Sequence, residues 1–277
     1  MTDRYAVVGN PVAHSKSPQI HAAFARATGQ DMSYERLLAP LGDFDATVDA
    51  FARAGGRGLN VTVPFKLEAF ALASAHSARA GAAGAVNTLA RRGDGWFGDN
   101  TDGAGVVRDL TVNLGVDIAG RDVLVLGAGG ATRGILDPLL AQRPRSLVVS
   151  NRTPEKAVEL ARRFAADGPI AAVAADALAG RRFDMVINST SSSLAAGAEA
   201  PWPWPGTVFA PGALAYDLVY ADAPTRFMRW ATASGAVRAV DGMGMLIEQA
   251  AESFLLWRGI RPDTAPVFAL LRPGAAR

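Results

Sequence analysis

The sequence contains no cysteine, and histidine occurs only three times among its 277 residues. The absence of cysteine excludes disulfide frameworks, thiolate metal sites and cysteine nucleophiles. The histidines are scattered, so no two of them have the i, i+4 spacing at which imidazoles on one helix bind a metal ion. The sequence therefore predicts a site that works without a metal.

Charged residues are also few, 19% of the chain, and the formal net charge is only +2. No run of Lys or Arg forms a stripe that could follow a phosphate backbone, so we expect no nucleic-acid partner. No window approaches the roughly 18 to 20 apolar residues that a membrane span requires, so we expect no membrane partner. The apolar stretch within residues 1–9 is too short for a signal-peptide core, which predicts a cytoplasmic protein.

Hydrophobic residues make up 49% of the chain, enough to bury a large core, and the length fits two domains. Short β-branched runs alternate with longer Ala- and Leu-rich stretches of helical spacing, which predicts βα units and a mostly parallel sheet. In the central third, strands are expected over residues 122–126, 147–150, 184–188, 214–219 and 236–240. The flanking parts are expected to hold a strand ending at Gly9, a helix over 18–28, a strand over 59–63 and a helix over 245–257.

These elements predict an α/β fold with two domains and a cleft between them. The first is an N-terminal α/β substrate domain, residues 1–102, completed by the last helix within residues 241–277. The second is a Rossmann-type, doubly wound domain, residues 103–240. Clefts between domains favour small ligands, so the expected partner is a small molecule, and the chain itself is expected to be a monomer or a homodimer.

A glycine-rich turn, Gly127-Ala128-Gly129-Gly130-Ala131, joins the strand over 122–126 to an expected helix over 132–142. Glycines let the backbone approach a pyrophosphate, and the start of a helix presents free N–H groups and a positive potential. A turn that serves only packing has the same pattern. In addition, Thr132 stands where the dinucleotide fingerprint has a third glycine or alanine, so the turn alone is weak evidence.

The residues after the next strand, Asn151-Arg152-Thr153, favour NADP over NAD. An NAD site usually has an acidic residue there, whose charge would repel a 2′-phosphate. Arg152 offers a guanidinium fork, Asn151 and Thr153 add neutral donors, and Lys156 follows one turn later. The alternative is that Thr153 caps the next helix while Arg152 points into solvent.

A second group of candidates lies near the N-terminus, in His14-Ser15-Lys16-Ser17-Pro18. Pro18 suits the first position of a helix and Ser17 its N-cap, so two hydroxyls converge near a positive helix end that suits a carboxylate. A serine that only caps its own helix gives the same pattern.

The expected strand over residues 59–63 carries polar side chains on one face. The strand period of two places Asn60 and Thr62 on that face, and Leu59, Val61 and Val63 on the other. A polar face within an apolar strand indicates a site at its end.

Lys66 and Asp102 are the candidates for proton transfer. Pro64 ends the expected strand and can open a helix, which places Lys66 in a first helical turn, where the dipole disfavours a cation. Asp99 and Asp102 lie in a turn-rich loop, and either one could simply form an Asx turn, just as Lys66 could simply be exposed. A lysine hydrogen-bonded to an aspartate can act as a proton relay, and we interpret Lys66 and Asp102 as that pair.

Together these segments resemble the shikimate dehydrogenase family, and the resemblance runs nearly end to end. The matching segments, in the same order and spacing, are residues 9–18, 60–66, 84–88, 100–103, 127–131, 151–153, 216–220 and 241–245, with Gln249. The resemblance implies reversible NADPH-dependent reduction of 3-dehydroshikimate to shikimate, a step of aromatic amino-acid biosynthesis.

The resemblance also implies roles for individual residues. Lys66 and Asp102 would be the catalytic pair, and Ser15 and Ser17 would hold the substrate carboxylate. The ring substituents or the carboxylate would be contacted by Asn60, Thr62, Asn87, Tyr220 and Gln249. NADP would be bound by the turn from Gly127 to Ala131, by Asn151, Arg152 and Thr153, and by Leu218 and Gly242.

Three positions depart from the family pattern. Thr132 stands where the family usually has a small Ala or Ser, Ser193 replaces a common Gly, and Leu218 replaces a common Met near the nicotinamide. None of these positions belongs to the proton-transfer pair.

Two alternatives are left. One is a quinate/shikimate dehydrogenase of the same fold that uses NAD, against which Arg152 and Thr153 argue. The other is a non-catalytic NADP-binding sensor, which would need neither Lys66 nor Asp102.

Overall fold

The structure is a computed structural model that describes residues 2–194 and 202–272. Its contacts divide the chain into two compact units. We call Met1–Arg108 with Leu246–Arg277 the terminal unit, and Asp109–Met245 the central unit. The α/β class predicted from the sequence is confirmed, because each unit is built on one sheet covered by helices. None of the helices in the described residues is long and apolar enough to cross a membrane.

The elements are named in chain order. The strands are β1 (Asp3–Gly9), β2 (Met32–Leu38), β3 (Gly56–Val61), β4 (Ala75–His76), β5 (Thr88–Arg92), β6 (Gly95–Asp99), β7 (Asp122–Leu126), β8 (Ser146–Ser150), β9 (Ile170–Ala172), β10 (Phe183–Asn188), β11 (Phe209–Asp217) and β12 (Arg238–Val240). The α-helices are α1 (Ser17–Thr28), α2 (Phe44–Arg53), α3 (Lys66–Leu72), α4 (Ala78–Ala83), α5 (Asp102–Arg108), α6 (Gly130–Ala141), α7 (Pro154–Arg163), α8 (Arg226–Ala233), α9 (Met243–Arg258) and α10 (Ala265–Leu271).

The terminal unit has a mixed sheet with the strand order β2-β1-β3-β5-β6-β4. β1 runs parallel to β2 and β3, whereas β5 is antiparallel to both β3 and β6. Helices bury one side of this sheet in an apolar core that includes Val8, Phe44, Leu59, Phe65 and Leu89. Burying a side chain of this size contributes about 1.5–3 kcal/mol, so the core holds the end of β3 and the start of α3 in place.

The central unit has a parallel sheet with the strand order β12-β11-β10-β7-β8-β9. Its strands are nearly continuous apolar runs because both faces of a parallel sheet are covered. The chain order reverses between β7 and β10, and doubly wound sheets bind ligands outside the carboxyl ends of the strands at such a point. The glycine turn, Arg152, Leu218 and Gly242 all follow carboxyl ends of strands in this sheet.

Most of the elements expected from the sequence are present, some with shifted bounds, and the strand expected over 59–63 begins and ends earlier, as β3 (Gly56–Val61). It ends at Val61, because β5 pairs only as far as Asn60 and the Thr62 carbonyl accepts the N–H of Phe65 in a turn. Val63 lies beyond the strand and is 58% exposed, whereas Leu59 and Val61, with which it was predicted to share a face, are buried.

Candidate active site

Lys66 and Asp102 form an ion pair between the first residues of two helices in the terminal unit. Lys66 begins α3 and Asp102 begins α5. The distance from Lys66 Nζ to Asp102 Oδ2 is 2.5 Å, and the two side chains are 13% and 6% exposed. An ammonium and a carboxylate in direct contact, with a small part of the lysine open to solvent, can pass a proton to a bound oxygen. The fold thus brings the two predicted residues together.

Asn87 holds the other oxygen of Asp102. Its Nδ2 donates a hydrogen bond to Asp102 Oδ1 at 2.8 Å. Its own Oδ1 accepts from the Thr88 hydroxyl and from the backbone N–H of Thr101, each at 2.8 Å. Gln249 arrives from α9, with its Oε1 3.2 Å from Asn87 Nδ2. The carboxylate is therefore fixed at both oxygens, each by a different side chain.

Asn60 belongs to the same buried network and is 6% exposed. Its Oδ1 accepts from the Tyr34 hydroxyl at 2.7 Å and lies 3.2 Å from His21 Nε2. Its Nδ2 donates to Ser253 Oγ at 2.9 Å and to Thr88 Oγ1 at 3.2 Å. Every polar atom of the Asn60 side chain thus has a partner within the terminal unit.

His21 is neutral in this setting. Burial lowers the pKa of His21 to about 3, and the hydrogen bond with Asn60 offsets only part of that effect. Because an amide oxygen only accepts, Nε2 carries the ring proton and donates it to Asn60 Oδ1. The other nitrogen, Nδ1, is buried without a hydrogen-bond partner among the described residues. Tyr34 stacks on the imidazole at 4.2 Å, and burial raises the pKa of its hydroxyl well above the usual value.

The prediction that Ser17 is the N-cap of α1 was wrong by one residue. Lys16 is the N-cap and Ser17 is the first helical residue. The reason is that the Lys16 carbonyl accepts the first backbone hydrogen bonds of the helix, from Gln19 and Ile20. The Ser17 hydroxyl is therefore not used for capping.

The two serines remain neighbours at the start of α1. The Ser17 N–H donates to Ser15 Oγ at 3.3 Å, and the Ser17 side chain, 4% exposed, hydrogen-bonds with Tyr34. Ser15 is partly exposed, and the Arg36 guanidinium donates two hydrogen bonds, of 3.0 and 2.6 Å, to its carbonyl. Thr62, also partly exposed, follows β3, and its N–H donates to the Val8 carbonyl.

The glycine turn has the geometry that a pyrophosphate site needs. Gly127 has a φ of +111°, and a Cβ there would lie 2.5 Å from Ser189 Oγ, so only glycine fits. Gly129 is the N-cap of α6, and a Cβ there would meet no atom within 4 Å. The first turn of α6 therefore faces open space, where its N–H groups can bind an anion. Thr132 is fully buried, with its hydroxyl 2.7 Å from Ser189 Oγ.

The turn after β8 suits a phosphate group. Arg152, Thr153 and Lys156 are exposed, and Asn151 is partly exposed. Asn151 Nδ2 donates to the Thr153 carbonyl at 2.9 Å, whereas the Thr153 side chain makes no capping hydrogen bond to α7. Thr153 is thus the N-cap by position, with a hydroxyl that is not engaged in capping. These residues fit the 2′-phosphate of NADP.

Leu218 and Tyr220 follow β11, and Gly242 follows β12. A Cβ on Gly242 would lie 2.3 Å from the Leu218 carbonyl oxygen, so these two segments approach as closely as glycine allows. Before them, Asp217 ends β11 and is buried, and that burial raises its pKa although Thr225 and Ser193 each donate a hydrogen bond to it. Ser193 is thus accommodated by a specific contact.

Sequence reasoning missed several members of the network in the terminal unit, namely His21, Tyr34, Thr88, Thr101 and Ser253. Thr88 lies in a segment that the resemblance includes, but its type alone does not distinguish it from other strand threonines. His21 stands four residues after Ser17, a spacing that puts both on one face of α1, and this was the available signal. Across the described residues, no cluster of three or more His, Asp or Glu side chains could hold a metal ion.

Comparisons with known proteins agree along the whole chain. Family models described as the shikimate dehydrogenase substrate binding domain, shikimate / quinate 5-dehydrogenase and the shikimate 5′-dehydrogenase C-terminal domain match residues 7–89, 110–197 and 242–272. Shikimate dehydrogenase (NADP(+)) of Nitrosospira multiformis is 57% identical over 272 residues, 98% of each chain. The Aromatoleum aromaticum protein of the same name is 59% identical over 98% of this chain and 97% of its own.

Among solved structures, shikimate 5-dehydrogenase from Thermus thermophilus in complex with NADP(H) and shikimate is similar to this chain. It superposes with a TM-score of 0.84 at 36% sequence identity, covering 95% of this chain and 96% of the other.

Proposed function

The chain belongs to the shikimate dehydrogenase family, and from that membership we infer that it catalyses the reversible NADPH-dependent reduction of 3-dehydroshikimate to shikimate. It is an NADP-dependent oxidoreductase of aromatic amino-acid biosynthesis. The observation that ties this activity to particular residues is the contact of 2.5 Å between Lys66 Nζ and Asp102 Oδ2.

Lys66 and Asp102 act at the ketone oxygen of the substrate. When bound, NADPH supplies the hydride that reduces the ketone. The Lys66 ammonium donates a hydrogen bond to the oxygen, stabilises the negative charge that develops there, and transfers a proton to it. The Asp102 carboxylate holds Nζ in place and takes part in returning a proton to Lys66. In shikimate oxidation the same pair removes the hydroxyl proton.

The substrate is held by the polar side chains around this pair. Ser15 and Ser17 bind the carboxylate, supported by the positive end of α1 and by the position of Arg36 on the Ser15 carbonyl. Asn87 and Gln249 face the ring from beside Asp102. Asn60, Thr62 and Tyr220 also contact the ring substituents or the carboxylate. All of these substrate residues except Tyr220 belong to the terminal unit, and Tyr220 belongs to the central unit together with the NADP residues.

The cofactor is held by the glycine turn and by the turn after β8. The start of α6 would hold the pyrophosphate, and Arg152, with Asn151, Thr153 and Lys156, would hold the 2′-phosphate. Leu218 and Gly242 would contact the nicotinamide. Because a guanidinium binds phosphate through two parallel hydrogen bonds, Arg152→Ala should raise the KM for NADP by about 10-fold or more and change the KM for NAD little. An equal rise for both cofactors would remove Arg152 from the phosphate site.

A spectrophotometric assay tests the function directly. The purified chain is incubated with shikimate or quinate and with NADP or NAD, and formation of the reduced cofactor is followed at 340 nm, the absorbance band of NADPH and NADH, with ~1 μM–1 mM of each substrate. We expect the highest kcat/KM for shikimate with NADP. A preference for quinate with NAD would indicate the quinate/shikimate alternative, and no turnover with any pair would indicate a non-catalytic binding protein.

A further inference from the structure

We propose that Thr88 and Tyr34 are positioning residues that hold the Asp102 carboxylate through a one-way chain of hydrogen bonds. Neither residue contacts Lys66 or Asp102 directly, and neither was assigned a role above. The inference rests on the proposed function, because it takes Lys66 and Asp102 as the proton-transfer pair.

The chain of hydrogen bonds passes through five side chains of the terminal unit. The Tyr34 hydroxyl donates to Asn60 Oδ1 at 2.7 Å, and Asn60 Nδ2 donates to Thr88 Oγ1 at 3.2 Å. The Thr88 hydroxyl donates to Asn87 Oδ1 at 2.8 Å, and Asn87 Nδ2 donates to Asp102 Oδ1 at 2.8 Å. Each donor therefore points towards the carboxylate.

The direction of the chain follows from the groups at its end. An ionised carboxylate only accepts, so the NH₂ group of Asn87 must face Asp102 and the amide oxygen must face away. That oxygen also accepts from the backbone N–H of Thr101, which can only donate. Since the Thr88 proton goes to the same oxygen, Thr88 Oγ1 is left to accept from Asn60.

The orientation of Asn60 is fixed independently at its other side. Its Nδ2 lies 3.4 Å from the Asn87 carbonyl, which cannot donate, so a flipped amide would place two acceptors against each other. Its oxygen accordingly faces the two donors, Tyr34 and His21. Ser253 Oγ accepts from Asn60 Nδ2 and donates to the Gln249 carbonyl, and it also lies 2.8 Å from Thr88 Oγ1, a contact in which either hydroxyl can be the donor.

Burial makes these bonds strong and their loss costly. Thr88 is fully buried, and Asn87, Asp102 and Asn60 are between 3% and 6% exposed. Hydrogen bonds in such surroundings polarise one another, and an unpaired polar group there is penalised. Without the Thr88 hydroxyl, the Asn87 amide gains freedom to turn, and Asp102 loses part of the restraint that points Oδ2 at Lys66. Small displacements of a reacting group lower the rate strongly.

Two substitutions at position 88 separate the hydroxyl from the shape of the side chain. Thr88→Val keeps the shape and removes the hydroxyl, whereas Thr88→Ser keeps the hydroxyl. We expect Thr88→Val to lower kcat about three- to tenfold, the loss of one buried hydrogen bond, and Thr88→Ser to stay within about twofold of the unchanged chain. The KM for NADP should not change in either variant.

The matched control is Thr28→Val, the same substitution at a hydroxyl that bonds the Phe24 carbonyl at the end of α1, outside this network. Its kcat should equal that of the unchanged chain. Thermal melting of all the variants measures how far each one is destabilised. If Thr88 were purely structural, its substitution would lower the melting temperature without changing kcat.

Tyr34→Phe tests whether the hydrogen bond at the far end of the network also helps to position Asp102. We expect kcat to fall about two- to fivefold, and no further fall when Tyr34→Phe is added to Thr88→Val, because the link is already broken. Tyr5→Phe is the control, since Tyr5 pairs with Tyr34 across β1 and β2 and its hydroxyl contacts Arg258 instead. If Thr88→Val does not fold, comparison of Tyr34→Phe with Tyr5→Phe still tests the positioning role.

The outcomes that overturn the inference differ from those that overturn the function. If the wild-type protein turns over shikimate and Thr88→Val or Tyr34→Phe has a normal kcat, the positioning role is wrong and the proposed function stands. Losses that multiply in the double variant would show that Tyr34 does not act through Thr88. An unchanged chain without activity on shikimate would instead overturn the function itself.

Discussion

Two aspartates three positions apart have separate tasks in this fold. Asp99 accepts two hydrogen bonds from the Arg79 guanidinium, at 2.7 and 2.6 Å. Although burial opposes it, that guanidinium holds the pKa of Asp99 below its usual value. Asp99, predicted to lie in a loop, is in fact the last residue of β6 and is anchored there, whereas Asp102, the first residue of α5, is the carboxylate that meets Lys66.

The proton-transfer pair gives a prediction about catalysis. Lys66→Ala should lower kcat by about two to four orders of magnitude, the range for removing a positioned acid or base, with a much smaller change in substrate affinity. Asp102→Asn should do likewise, and the double variant should be little worse than either single one, because the two residues act as one unit. Steady-state kinetics of the three variants would check this, and a Lys66→Ala chain with near-normal kcat would exclude Lys66 from the mechanism.

His21 gives a prediction about stability and pH. In the folded chain its pKa is lowered from 6.5 to about 3, so between these values the unfolded chain binds a proton that the folded chain does not. The free energy of unfolding contributed by this residue is therefore fully present above pH 6.5. It is lost as the pH falls towards 3, by up to about 1.4 kcal/mol per pH unit.

The measurement is urea unfolding between about pH 4.5 and pH 8.5, two units either side of the usual histidine pKa. His21→Phe, which retains a ring to stack on Tyr34, should flatten the pH dependence. The control His14→Gln changes an exposed histidine and should leave the dependence as it is. Equal curves for His21→Phe and the unchanged chain would contradict a proton taken up at His21 on unfolding.

At the scale of elements, helix starts and strand ends carry most of the site. Lys66, Asp102 and the Ser15–Ser17 pair all lie where a helix begins, and the cofactor candidates lie where parallel strands of the central unit end. α9 contributes differently, since Gln249 and Ser253 are four residues apart and so project from one face of the helix. Regular elements thus supply fixed positions from which short side chains reach each other.

The β7–α6 turn gives a prediction that separates folding from binding. Gly129→Ala adds a methyl group into open space at an ordinary φ, so thermal stability should be unchanged while the methyl group obstructs the pyrophosphate and raises the KM for NADP about 10-fold or more. Gly127→Ala has a positive φ and a clash with Ser189, and should lower the free energy of unfolding by about 1–3 kcal/mol. A Gly129→Ala chain with normal KM for NADP would place the pyrophosphate elsewhere.

At the scale of the whole molecule, each unit has its own sheet and its own core. The terminal unit is discontinuous in sequence, because residues 246–277 join residues 1–108. Groups as distant in sequence as Asn60 and Ser253 are therefore adjacent. In the proposed function the terminal unit supplies the substrate residues apart from Tyr220, and the central unit supplies the NADP residues.

Hydrogen exchange should show which unit each ligand protects. Because a ligand slows exchange mainly where it suppresses local opening, shikimate should protect amides around residues 87 and 99–102, and NADP should protect amides after β7 and β8. Arg152→Ala is the matched control and should weaken only the protection by NADP. Protection by shikimate confined to residues 109–245 would contradict the assignment of the terminal unit to the substrate.

Local patterns in the sequence determined the class of the fold and much of the central unit. Alternation of apolar runs with helical spacing is a short-range property, so β7, the glycine turn, α6 and β8 could be predicted from about 30 adjacent residues, the length of one βαβ unit. The charge at Arg152 likewise follows from residue type. The short strands β4 and β9, of two and three residues, were not predicted, because neither has enough residues to show a period.

Only the tertiary structure decided which polar groups meet. Lys66 and Asp102 are 36 residues apart, and Asn60 and Ser253 are 193 apart, so no local period relates them. The end of β3 at Val61, the neutral state of His21 and the direction of the hydrogen bonds through Thr88 all depend on neighbours supplied by other elements. Burial and hydrogen-bond geometry are properties of packing, and for that reason the residues that position Asp102 became visible only in the folded chain.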